Sequence, residues 1–120
     1  MLNKFASGAP EPDRSKYLVL PEFLEYAWTG DMARMRTVLD DPYSRSLFLD
    51  TVDEMTGMNA LHIAVGRNNL DMAKLLIEAG IKIIPDGEGR MPSLIAALLE
   101  TSEEMQDYIA EQERKVDTDQ

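Results

Sequence analysis

The apolar residues in the middle of the chain fall into short runs at helical spacing. The clearest is Asn59-Ala60-Leu61-His62-Ile63-Ala64-Val65, a polar break at Gly66-Arg67-Asn68-Asn69, then Leu70-Asp71-Met72-Ala73-Lys74-Leu75-Leu76-Ile77-Glu78-Ala79-Gly80. Apolar positions 61, 64 and 65, then 72, 73, 75, 76 and 77, predict two short helices with wide apolar faces. Asn59 is a good N-cap, and Gly80 can close the second helix in the left-handed region. The unit is therefore a helix-turn-helix hairpin followed by a turn-rich connector.

The same arrangement occurs twice more, in looser form. Gly89-Arg90-Met91-Pro92-Ser93-Leu94-Ile95-Ala96 matches Gly57-Met58-Asn59-Ala60-Leu61-His62-Ile63-Ala64 at an offset of 32. Pro92 takes the first helical position, where its missing N–H is not needed. Met105, Tyr108 and Ile109 then form the apolar face of a further helix. Upstream, Leu24-Glu25-Tyr26-Ala27 precedes Gly30-Asp31-Met32-Ala33-Arg34-Met35-Arg36-Thr37-Val38-Leu39, again two helices broken by a glycine turn.

Ala60-Leu61-His62-Ile63-Ala64 is similar to the threonine-proline-leucine-histidine-x-alanine signature of the ankyrin-repeat family. The string from Asn69 to Gly80 resembles that family's second helix and closing glycine, and the resemblance spans roughly residues 21 to 110. It implies an all-α, ankyrin-like helical repeat solenoid of three stacked helix-turn-helix units, with short turns projecting as fingers. It further implies protein binding rather than chemistry, and a structural role for His62. The expected divisions are a leader at 1–16, a repeat domain at 17–110 (about 21–56, 57–88 and 89–110), and a polar tail at 111–120. The outer repeats are expected to act as caps.

There are departures. Asn59 and Ala60 stand where the family usually has threonine and proline, and Leu94 where it has histidine. The interval from Leu39 to Gly57 is 18 residues, against 12 from Ile77 to Gly89. Six extra residues therefore sit within Asp41-Pro42-Tyr43-Ser44-Arg45-Ser46-Leu47-Phe48-Leu49-Asp50. This insertion either packs back as an extra short helix closing the first hairpin or offers aromatic and arginine anchors to a partner. Packing is the favoured reading, with Tyr43 and Arg45 as the partner contacts. Trp28, beside the first glycine turn, is expected to cover the first hairpin; exposed, it would be a hot-spot candidate. Met32, Met35, Met72 and Met105 fill gaps between thin layers.

Composition narrows the chemistry. The 120 residues contain no cysteine and one histidine, so disulfides, thiolate metal sites, cysteine nucleophiles and multi-histidine metal sites are excluded. No secretory signal is legible at residues 1–10, and no run approaches the roughly 18 to 20 apolar residues that span a bilayer. A cytoplasmic, non-membrane protein is expected. Asp40-Asp41, Asp53-Glu54 and Glu103-Glu104 read as solvated pairs rather than catalytic carboxylates. Asp86-Gly87-Glu88-Gly89 reads as a glycine-rich finger, since it lacks the alternating ligands of a calcium loop. No cofactor and no enzyme activity are expected.

The net charge of −10 is uneven: residues 21–56 sum to −5, 57–90 to zero and 91–120 to −6. No basic stripe is present to displace counterions from phosphates, so direct nucleic-acid binding is not expected and a basic protein is the natural complement. The function expected is a binding module that holds one partner protein, as an inhibitor, an immunity or antitoxin-like protein, or an adaptor. The alternative is an acidic nucleic-acid mimic occupying the basic cleft of a nucleic-acid enzyme. The candidate partner contacts are Tyr43, Arg45, Met55, Thr56, Met58, Arg67, Glu88 and Arg90. Self-association through Leu98, Leu99 and the terminal helix is a further expectation.

Overall fold

The structure is a computed structural model. It describes residues 21–118, with side chains for 21–116, so the leader read at 1–16 lies outside the described residues. The chain forms α1 (Glu22–Thr29), α2 (Met32–Asp40), α3 (Pro42–Leu49), α4 (Ala60–Gly66), α5 (Leu70–Glu78), α6 (Pro92–Leu98) and α7 (Glu103–Thr118). Among the described residues there is no strand, and no helix is long and apolar enough to cross a membrane.

Three hairpins, α1/α2, α4/α5 and α6/α7, stack side by side. Helix α4 packs against α1 on one side and α6 on the other, forming an inner layer. The hairpin turn is the same each time: a left-handed residue, Gly30 (φ 76°), Asn68 (φ 57°) or Glu100 (φ 52°), follows the inner helix. The next amide then reaches back to the inner helix, Asp31 N–H to Tyr26 C=O, Asn69 to Ala64 and Thr101 to Ala96, at 2.9, 2.9 and 3.0 Å. This closure satisfies carbonyls that a helix end leaves without partners. Side-chain caps then start the outer helices: Asp31, Asn69 and Ser102 each accept an amide N–H at 3.1 Å, from Arg34, Met72 and Met105.

The core is two-tiered. Phe23, Leu24, Ala27, Leu61, Ala64, Val65 and Ile95 are buried in the inner helices, and Met35, Met72, Leu76, Met105 and Ile109 in the outer ones. The buried methionines supply one flexible, gap-filling side chain per layer. The six extra residues between the first two hairpins are accommodated by α3. Asp41 caps it, accepting from Tyr43 N and Ser44 Oγ, and Pro42 opens its first turn. Phe48 stacks on Phe23 with ring centroids 5.4 Å apart, and Leu49 joins the same cluster. The insertion packs, as favoured from sequence, while Tyr43 and Leu47 remain on its outer side.

Helix α7 continues to Thr118, into the stretch read as a polar tail. Within this extension lies a contact the local pattern does not encode. Helix α6 has no side-chain cap of its own, and Glu113 reaches across to take Ser93 N–H and Oγ–H, each at 2.7 Å. The carboxylate thus caps α6 from the neighbouring helix.

The connectors after α3 and α5 form two fingers that meet backbone to backbone, where Gly87 N–H donates to Thr56 C=O at 2.8 Å. Gly57 has φ 74°, and a Cβ there would lie 2.3 Å from Gly87 N. Gly80, at φ 101° with nothing within 4 Å of a Cβ, separates backbone strain from that clash. Gly80→Ala is expected to cost about 1–2 kcal/mol, and Gly57→Ala distinctly more, measured by denaturant midpoints. Equal losses would show that the fingers do not depend on this approach.

Candidate functional site

The first finger is held by Asp53, whose Oδ2 accepts Thr56 N–H at 2.9 Å and Thr56 Oγ–H at 2.7 Å. Asp53 N–H also donates to Met58 C=O at 2.8 Å, which leaves Met55 at the tip, 75% exposed. In the second finger the buried Asp86 carboxylate accepts Glu88 N–H, Arg90 N–H and Arg90 Nε–H, all at 2.9 Å. Burial works to raise the Asp86 pKa, but the hydrogen bonds from the Arg90 backbone and side chain and the Glu88 backbone outweigh it. The carboxyl is held below its ordinary value of 3.8. Asp86 in turn raises the Arg90 pKa through the same side-chain hydrogen bond.

His62 anchors the fingers to the stack. Its amide donates to Asn59 Oδ1 and its Nδ1 accepts from Asn59 N–H, both at 3.1 Å, a reciprocal capping box at the start of α4. Accepting at Nδ1 puts the proton of the neutral ring on Nε2. Nε2 is buried and closes no hydrogen bond among the described residues. At 1% exposure the imidazole is out of reach of any substrate. The single histidine is thus a strut.

A second feature lies at the C-terminal ends of the inner helices. Trp28, in the last turn of α1, is 50% exposed, and the Arg67 guanidinium sits 4.6 Å from its ring centroid. This corrects the expectation that Trp28 is a covering core residue: the ring reaches sideways along the inner layer toward α4 rather than inward. Gly66, between these residues and Leu99, leaves room in the row; a Cβ there would lie 3.4 Å from a Leu99 methyl.

The candidate contacts read from sequence fall into three places. Met55, Thr56, Glu88 and Arg90 share the paired fingers. Met55 and Glu88 point outward, Thr56 is spent bracing its own turn, Arg90 is held by Asp86 and Glu88, and Met58 packs against the core. Tyr43, 76% exposed, and the half-buried Arg45 stand apart on α3. Arg67 pairs with Trp28 at the opposite end of the inner helices from the fingers. Trp28 was the omission from the candidate contacts; the available signal was a lone tryptophan at a helix end, and its arginine partner 39 residues away was not legible.

The family model described as "Ankyrin repeats (3 copies)" matches residues 35–120. The chain belongs to the ankyrin-repeat family. Ankyrin repeats are protein–protein interaction modules, so the coarse role is binding. Among curated proteins none matches this chain. The match begins inside α2, so the first ankyrin hairpin is recognised from its geometry: the turn at Gly30 repeats those at Asn68 and Glu100.

His62 makes the ankyrin stack sensitive to acid. Burial lowers its pKa from 6.5, and the Ile84 backbone and Asp86, which pull the other way, do not overcome it. The unfolded chain therefore binds more protons as pH falls below 6.5, and native stability declines through that window. The slope reaches at most about 1.4 kcal/mol per pH unit. His62→Gln keeps an acceptor at the capping-box position and is expected to flatten the slope between pH 7 and 5 in denaturant titrations. An unchanged slope would place its origin elsewhere.

Proposed function

We propose that this ankyrin-repeat protein is a non-catalytic module that holds one partner protein, gripping it along the face that runs from the finger tips to the Trp28–Arg67 pair. The observation that carries this is the half-exposed Trp28 under the Arg67 guanidinium. Tryptophan and arginine are the residues that most often dominate binding energy, and a stacked arginine has already lost much of its rotamer freedom. Met55 and Glu88 supply contacts at the finger end, and Tyr43 and Arg45, which stand apart on α3, supply secondary ones. The net charge of −10 favours a basic partner. Inhibitor, immunity and adaptor roles are all forms of this activity.

The acidic-mimic reading takes second place. It rests on the exposed carboxylates Glu103, Glu104 and Asp107 of α7, and it gives Trp28 no role. Salt separates the two, because screening at about 0.5 M shortens the Debye length to a few ångströms and leaves apolar contacts intact.

The test is capture from the native lysate with the tagged full chain, washed at low salt and at about 0.5 M salt. One stoichiometric protein is expected to survive the second wash, and Trp28→Ala to weaken its binding tenfold or more with an unchanged melting curve. Many basic proteins lost together at high salt would support mimicry. A surviving partner indifferent to Trp28→Ala and Arg67→Ala would remove the proposed face.

A further inference from the structure

The first and last described layers differ in a way the repeat geometry makes readable. Each inner helix offers one side to the layer before it and the other to the layer after. In the middle layer the forward side of α4 carries His62, Val65 and Gly66, and the third hairpin covers it, leaving His62 and Val65 buried. The same positions in α6, 32 residues on, are Leu94, Ala97 and Leu98. There Leu94 is 46% exposed, Leu98 58%, and Ala97 is exposed as well.

The opposite end does not match. Ile95 and Leu99, with which α6 faces α4, correspond in α1 to Glu25 and Thr29, both exposed and polar, with Glu22 one turn earlier. Among the described residues, the outer side of the first layer is polar and that of the last is apolar. Head-to-tail stacking of copies would set Leu94 and Leu98 against Glu22 and Glu25, burying carboxylates without partners.

The surroundings of the leucines are mostly acidic, with Arg114, one turn after Ala110 and paired with Glu111, as the cation on that side of α7. Glu100 closes α6, and on α7 the exposed Ala110 lies one turn before Glu113, the residue that holds Ser93 beside Leu94. Glu103, one heptad before Ala110, falls on the same side of α7, with Asp107 next to it; both are exposed. Two copies meeting through this face would bring these carboxylates together in pairs.

We propose that the outer side of α6, formed by Leu94, Ala97 and Leu98, is a second docking surface that takes an amphipathic helix of a partner protein, apolar along one face and flanked by lysine or arginine. The helix adds itself to the stack as the next inner helix would. Its apolar face meets the leucines at the spacing with which α6 meets α4, and its basic flanks meet Glu100, Glu103 and Asp107. This surface is separate from the Trp28–Arg67 face and does not depend on it.

The test uses the full chain and two labelled synthetic helical peptides of about 18 residues, long enough to hold a helix. They share a leucine face and differ in having lysine or glutamate flanks, and binding is read by fluorescence anisotropy at about 0.15 M salt. The leucine–lysine peptide is expected to bind saturably and at least tenfold more tightly than the leucine–glutamate one. Leu98→Glu is expected to weaken it tenfold or more although the substitution adds negative charge, and Trp28→Ala to leave it unchanged. Leu94→Asp, one turn earlier on the same side, is expected to repeat the Leu98→Glu result, so the outcome does not hang on one variant folding. Unchanged or tighter binding to both variants would reduce the interaction to general attraction and overturn the proposal. So would no saturable binding, or sedimentation showing a wild-type dimer that Leu98→Glu dissolves, since a second copy would then be the occupant.

Discussion

The reciprocal hydrogen bonds between Asn59 and His62 hold the middle layer in place, and the rest of the structure is arranged around them. Helix α4 has only seven residues, too few to persist alone, and its first turn is buried between two neighbours where water cannot satisfy its amides. Asn59 and His62 supply the missing partners to each other. Asn59 Nδ2–H also donates to Lys82 C=O at 3.1 Å, tying the start of α4 to the chain that leads into the second finger. Both side chains are fully buried, so the energetic cost of their polar atoms is offset only while this geometry holds.

From that node the structure builds outward by repetition. The left-handed turns at Gly30, Asn68 and Glu100 and the caps at Asp31, Asn69 and Ser102 set each outer helix against its inner one. Layers this thin bury their apolar side only against each other, so no hairpin is stable by itself. The ends are handled by different means. Helix α3 brings Phe48 onto Phe23 at the first layer, and α7 runs on so that Glu113 can cap α6 at the last. A rigid stack then presents what a binding protein needs at little further entropic cost: an arginine already stacked on a tryptophan, and fingers whose tips are braced by Asp53 and Asp86.

What could be read from the sequence was what depends on near neighbours. The spacing of Leu61, Ala64 and Val65 and of Met72, Ala73 and Leu76 places six residues that the structure buries completely. The Asn59 cap, Pro92 in the first turn of α6 and the extra helix in the insertion were legible for the same reason. What escaped depends on residues far apart in the chain. Trp28 meets Arg67, and Ser93 meets Glu113 twenty positions away, so the tryptophan reads as core and the end of α7 as a tail. The partner contacts read from the insertion and fingers included residues the structure uses internally: Arg90 binds Asp86, and Met58 packs on the core. A list of turn residues does not separate those that brace a turn from those that project from it.

Hydrogen exchange on Asn59→Ala compared with the unaltered chain tests most directly whether one buried node holds the three layers together. The account predicts that exchange speeds up together in α1, α4, α6 and the second finger, because loosening the middle layer uncovers both neighbours. Faster exchange confined to the first turn of α4, with α1 and α6 as protected as before, would contradict it and show that the layers stand independently.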